Sequence, residues 1–189
     1  MNQGRHITHI PNFNVHKTTE AAAYLLQLYG GNRPVKFMRV LKLLYLADRK
    51  ALVEWEKPIT HDLYFSMPHG QVLSRTYDLM KGESHSEVWD EYIEQISYYL
   101  IRLKKQVSLK KLSMAEVELL NQIFEEYGHY DEFALGRITK GPEYTDPKGS
   151  SIVTPLDRLL GVLGYNQDEI ERILADLESD ASIDAVLGE

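Results

Sequence analysis

From Phe37 to Val53 apolar residues recur at helical spacing. A helix turns about 100° per residue. Phe37, Val40, Leu41, Leu44, Ala47 and Ala51 therefore share one broad face, which Leu43 and Leu52 widen. The opposite sector collects Lys36, Arg39, Lys42, Arg49 and Lys50, with Val35, Leu46 and Val53 among them. The pattern predicts a mostly buried helix ending near Glu54 and carrying a narrow basic stripe. Apolar side chains among cations suit a contact surface better than a purely solvated face.

The flanking pattern extends the reading. "TTEAAAYLLQLYGG" predicts a helix with Thr18 or Thr19 as N-cap and Gly30 in the left-handed turn at its end. Pro34 then breaks the chain, because it disfavours helical geometry at Arg33. Asp62 to Ser66 reads as an edge strand or extended loop, followed by a helix from about Gln71 to Met80 with Gly82 after it. Tyr99, Ile101, Leu103, Val107 and Leu109 alternate with polar residues, the period of a strand. "VWDEYIEQI" is a partner strand or a helix, and we read residues 88–109 as a hairpin or small sheet. "SMAEVELLNQIFEEYG" opens with a capping box, Ser113 and Glu116, and ends at Gly128. A shorter helix capped by Asp131 follows, then a Gly- and Pro-rich loop, "KGPEYTDPKGSS". Pro155 marks the first turn of another helix and Asn166 caps the next. The acidic end, "SDASIDAVLGE", is expected to fray. The sum is a mainly α fold: a compact helical domain with a small antiparallel β element, hairpin or edge strands. Residues 1–17 read as a flexible arm, 18–150 as the domain, and 151–189 as a helical appendage with an acidic tail.

Composition narrows the function classes. The 189 residues, 43% apolar and 26% charged, suit one folded domain with a small extension. No run approaches the ~20 apolar residues of a membrane span, and "MNQGRHITHIPNFN" lacks a signal-peptide core. Zero cysteines exclude disulfides and thiolate chemistry and point to the cytoplasm. The net charge of -7 argues against broad nucleic-acid binding, though not against a small DNA-reading surface. The element order near residues 54–109 suits a winged-helix DNA regulator, but no helix carries the Arg, Asn and Gln cluster of a base-reading element.

Catalytic signatures are missing. No G-x-S-x-G elbow and no phosphate-binding G-x-x-x-x-G-K-[ST] occurs. His61 and His69 lie eight apart beside Asp62, without H-E-x-x-H or paired-Cys spacing, so neither metal nor cofactor is expected. Trp55, Tyr64, Phe65 and Tyr77 read as an aromatic packing cluster. The basic stripe has two readings. It is a face paired with the chain's own acid, which crowds the C-terminus from Asp168 to Asp184 around Arg172. Such exposed pairs are worth about 0–1 kcal/mol each. Alternatively it is a docking surface for an acidic partner.

Three stretches carry a family resemblance: "KLLYLADRKAL" (42–52), "KPITHDLYFSMPHGQVLSRTYDLMKG" (57–82) and, more loosely, "LSMAEVELLNQIFEEYG" (112–128). In that order they resemble the Panacea antitoxin domain, the family of the SocA antitoxin and of phage-associated GepA-like proteins. Two departures stand out. The family often reads Gly-Pro-Val where this chain has Gly70, Gln71 and Val72, and Thr-His where it has Thr139 and Lys140. The resemblance implies a non-enzymatic antitoxin that neutralises a cognate toxin protein by direct contact. In one relative it implies an adaptor that delivers the toxin to a cytoplasmic protease. Either role needs a protein-binding surface. The family does not single out the stripe, but a binding role raises its weight. The contact candidates are Lys36, Arg39, Lys42, Arg49 and Lys50 with Leu46 between them, then Trp55 and His69.

Overall fold

The structure is a computed structural model that describes residues 13–187, with side chains to Ile183. Most of the expected arm therefore lies outside the described residues, and its last part is helical. Helix α1 (Val15–Leu28) starts at Asn14, whose side chain accepts the Lys17 N–H at 2.9 Å. Thr18 and Thr19 are not the cap; both are buried within the helix, and the Thr19 hydroxyl donates to Val15 O. At the far end Gly30 takes φ +101°, and the N–H groups of Gly30 and Gly31 satisfy the carbonyls of Gln27 and Leu26, both at 3.0 Å.

The chain next forms β1 (Val35–Lys36) and runs into α2 (Phe37–Trp55), the helix predicted from the periodicity. Strands β2 (Tyr64–Met67) and β3 (Gly70–Leu73) form a tight hairpin with Pro68 and His69 at its tip. The expected helix start at Gln71 is thus corrected: α3 (Ser74–Lys81) begins three residues later, because Gly70 to Leu73 pair with β2 and are wholly buried. The segment "VWDEYIEQI" is both alternatives in succession. Helix α4 (Glu87–Tyr92) passes directly into β4 (Ile93–Ser97), which pairs with β5 (Leu100–Leu103) around a Tyr98–Tyr99 turn. Val107 and Leu109, assigned to the strand by alternation, lie beyond it.

Helix α5 (Met114–Tyr127) carries the expected capping box, with Ser113 and Glu116 bonded reciprocally. Helix α6 (Glu132–Ile138) is capped by Asp131 through a 2.7 Å bond from Ala134 N–H. A short strand β6 (Ile152–Val153) precedes α7 (Leu156–Val162), with Pro155 at the N-cap, and α8 (Gln167–Leu187). The acidic end does not fray among the described residues. Leu177 and Ala181 are buried, and Asp180 pairs with Lys57 at 2.6 Å.

Among the described residues two antiparallel three-stranded sheets result, ordered β1-β5-β4 and β3-β2-β6. Helix α2 sits at the centre, against α1, α5, α6 and the β2–β3 hairpin. One apolar cluster runs from Leu25 and Leu26 through Leu41 and Leu44 to Leu120, Leu159, Leu160 and Ile173. The C-terminal helices share it, and β6 joins them to the sheet by pairing with β2. Among the described residues no helix is long and apolar enough to cross a membrane.

Candidate functional site

Part of the α2 sector expected to face a partner is turned into the chain itself. Lys42 is fully buried, and its Nζ donates to Gln71 O on β3 at 2.6 Å. Burial, reinforced by the nearby Lys140 charge, lowers its pKa from 10.5 to about 7. One turn on, the Tyr45 hydroxyl donates to Glu143 Oε1 at 2.5 Å, and Arg49 Nε reaches the same oxygen at 3.0 Å. Glu143 is itself buried, and its Oε2 has no hydrogen-bond partner among the described residues. It belongs to the loop "KGPEY", so this cluster pins that loop against α2.

Asp48 extends the buried polar line. Its carboxylate accepts the N–H groups of Ile59 at 2.9 Å and Thr60 at 3.0 Å, the Thr60 hydroxyl, and the Tyr64 hydroxyl at 3.3 Å. Burial raises its pKa from 3.8 to about 7 against those hydrogen bonds. Asp62 does for α3 what the N-cap residue, Leu73, cannot. It accepts the Arg75 and Thr76 N–H groups at 3.0 and 2.8 Å and the Thr76 hydroxyl at 2.7 Å. Its pKa is also raised, chiefly by burial.

Gly70 and Gln71 join the hairpin to α6. Gly70 has φ +96°, and a Cβ there would lie 2.3 Å from Thr139 Oγ1 and 2.5 Å from Gly136 O. The Gln71 N–H donates to Thr139 O at 3.3 Å, and its side-chain amide links Ser66 and Thr154. A proline, frequent here in the resembling family, has no N–H for the first bond. Lys140, where the family often has histidine, is exposed, with its ammonium 5.0 Å from the Tyr144 ring.

The remaining stripe residues are tied down one by one. Arg39 is half-buried, lies 4.6 Å over the Tyr29 ring and donates to Gly128 O at 2.7 Å, where its charge meets the negative end of α5. Lys50 donates to Gln122 Oε1 at 2.6 Å. Lys36 is exposed and pairs with Glu132. The expectation of one open cationic line is therefore corrected at Lys42 and Leu46, which are buried, and narrowed at Arg39, Arg49 and Lys50. The acid that meets the cations comes from Glu132, Glu143 and Glu54. Helix α8 instead binds the end of α2, where Arg172 pairs with Glu56 at 2.6 Å.

The outlying candidates do not converge either. His69 is exposed at the hairpin tip, over α6. Trp55 is 37% exposed at the C-terminal end of α2, about 28 Å along the axis from Lys36 at 1.5 Å per residue. The expected aromatic cluster is dispersed: Tyr64 stacks edge-on to Tyr45 and Tyr77 to Phe37. Among the described residues no group of three or more His, Asp or Glu is arranged to hold a metal.

Periodicity gave no warning of a group of exposed apolar side chains at the other end of α2. Tyr98 and Tyr99 in the β4–β5 turn and Phe133 at the start of α6 are each about two-thirds exposed (65%, 64% and 63%). The only available signal was a Tyr-Tyr pair at a hairpin turn, where polar residues and glycine are usual.

The fold is a mainly α domain whose central helix holds a hairpin and a loop by buried polar contacts. Comparison with family models makes the assignment specific: residues 40–144, more than half of the chain, match the family described as "Antitoxin SocA-like, Panacea domain". The chain belongs to that family. The matched span starts within α2 and ends at the Glu143 loop, so it encloses the whole Lys42–Tyr45–Asp48–Arg49 network and its partners. Neither the curated proteins nor the solved structures gave a match.

Proposed function

We propose that this chain is the antitoxin of a toxin–antitoxin system and neutralises its cognate toxin by stoichiometric protein–protein binding. The match of residues 40–144 to the SocA-like antitoxin family is the observation that carries this reading. Binding needs a preformed surface and no reacting group. The buried ties of α2 support such a role by fixing the hairpin, α6 and the 140–144 loop in one arrangement, which lowers the ordering cost of association. Of the contact candidates, Lys36, Trp55 and His69 are open to a partner, together with the accessible sides of Arg39, Arg49 and Lys50.

The test is co-expression with the product of the adjacent gene, with growth as readout. Growth arrest by that product alone, and recovery when this chain is present, is the expected result. No arrest, or arrest that this chain does not relieve, refutes the reading. The mechanism is separable in the same cells. A toxin that persists at unchanged level while inactive is blocked by contact. A toxin whose lifetime shortens in the presence of this chain is being delivered to a protease.

A further inference from the structure

We propose that the seam between the β2–β3 hairpin and the end of α6 is a pH-sensitive joint, which opens to water while Lys42 holds its proton and closes when Lys42 sheds it. The proposal goes beyond the antitoxin reading and is independent of the partner.

The seam is a contact of backbones. A Cβ on Gly136 would lie 2.9 Å from His69 O, and one on Gly70 would lie 2.5 Å from Gly136 O. Two glycines therefore let the hairpin and the helix touch directly. The hydrogen bond across the seam runs from Gln71 N–H to Thr139 O and is long, at 3.3 Å. Contacts tied so sparsely are where native chains open locally.

Lys42 lies under that seam. Its Nζ would be 3.2 Å from a Gly70 Cβ, and it donates to Gln71 O at 2.6 Å. An ammonium has three N–H donors. One carbonyl is a poor exchange for water around a side chain with no exposed surface. The charged groups around it are committed elsewhere or add to the strain. Lys140, one residue past Thr139, repels the ammonium. Arg137 on α6 and His69 on the hairpin are exposed. On α2, Arg39 is turned to Gly128 O, Tyr45 and Arg49 to Glu143, and Asp48 to the 59–60 turn. Asp62 is held by the start of α3. Lifting Thr139 and Lys140 off the hairpin admits water to Lys42 and relieves the charge.

The direction with pH follows. In the closed seam the pKa of Lys42 is about 7, and on opening it returns to 10.5. The open seam binds the proton more tightly, so opening is favoured as pH falls from 10.5 towards 7. Between pH 8 and pH 6.5 the opening constant rises about eightfold.

The experiment reads hydrogen exchange of the Gln71 amide, corrected for its intrinsic chemistry, at pH 6.5 and 8 with and without low urea. The wild-type chain is compared with Lys42→Met, Lys140→Gln and His69→Asn, and the Leu25 and Leu26 amides report global unfolding. Side-chain NMR of Lys42 in the wild type gives its titration without any substitution, should Lys42→Met fail to fold. Expected are an eightfold rise in Gln71 opening at the lower pH that low urea does not change, a midpoint shared with the Lys42 side chain, a flat profile in Lys42→Met, a midpoint moved to higher pH in Lys140→Gln, and no change in His69→Asn. Gln71 exchange with the protection and urea dependence of Leu25 and Leu26 overturns the proposal, because the seam would then open only with the whole domain. A pH dependence that survives in Lys42→Met, that is lost in His69→Asn, or that departs from the Lys42 titration overturns it as well.

Discussion

Lys42→Met separates a buried structural lysine from a docking one. The folded-state pKa of Lys42 is about 7 against 10.5 for a free lysine. At about 1.4 kcal/mol per tenfold, keeping its proton in the folded chain below pH 7 costs roughly 4–5 kcal/mol. Between pH 7 and 10.5 the unfolded chain binds this proton and the folded chain sheds it, so stability rises with pH across that window. From pH 7 to 9 the rise due to Lys42 is about 2 kcal/mol. Methionine has similar length and no charge. It removes the cost, and it also removes the bond to Gln71 O, whose loss costs about 1–3 kcal/mol. Chemical denaturation at pH 7 and pH 9 measures both effects. Lys42→Met is expected to match or exceed the wild type at pH 7 and to lose the wild type's gain at pH 9. Parallel rises in the two proteins would refute the reasoning, because Lys42 would then keep its proton without penalty. A variant several kcal/mol less stable at pH 7 would refute it too, because the ammonium would then be a net stabiliser.

Asp48→Asn should show the opposite limb. The folded pKa of Asp48 is raised from 3.8 to about 7, so its contribution is complete below pH 3.8 and is lost as pH rises through 7; by denaturation at pH 5 and 8 the wild type should lose roughly 2–3 kcal/mol that the variant keeps. Asp62→Ala removes the cap of α3 and leaves the Thr76 donors unpaired, an expected loss of roughly 2–4 kcal/mol in denaturant, with the earliest hydrogen exchange in residues 74–81. Gly70→Ala places a methyl group against Gly136 O at a left-handed φ; a fall in thermal midpoint of more than about 10 °C is expected, where an unchanged midpoint would mean that the hairpin does not pack on α6.

Much of the fold was legible because local signals and tertiary contacts agree. The 3.6-residue period of α2, the capping box at Ser113 and Glu116, and Asp131 before α6 all act within a turn or two of chain. The misses share a physical cause. Nothing local separates Gly70–Leu73 from the first turn of a helix; pairing with β2 and burial on every residue make it a strand. Thr18 and Thr19 are good caps by type, but their burial leaves the role to Asn14. The candidate site was half legible. Lys42, Arg49 and their neighbours were picked out as a line on one face of α2, and they do share a face, but the direction in which that face looks is not written in its period.

What the sequence determined by itself was therefore one-dimensional: which segments are helical, where several of them begin, that thiol chemistry is excluded, and that the stretches shared with an antitoxin family occur in order. Only the tertiary structure decided that Lys42, Tyr45, Asp48 and Arg49 are spent inward, on Gln71, Glu143 and the 59–60 turn, and that Tyr99 and Phe133, 34 positions apart, line one pocket. The reason lies in desolvation. Whether a charge on a helix is a surface group or a buried tie depends on which backbone oxygen or carboxylate the rest of the chain brings to it. Those partners lie 29 residues from Lys42 and 94 from Arg49, beyond the reach of any local pattern.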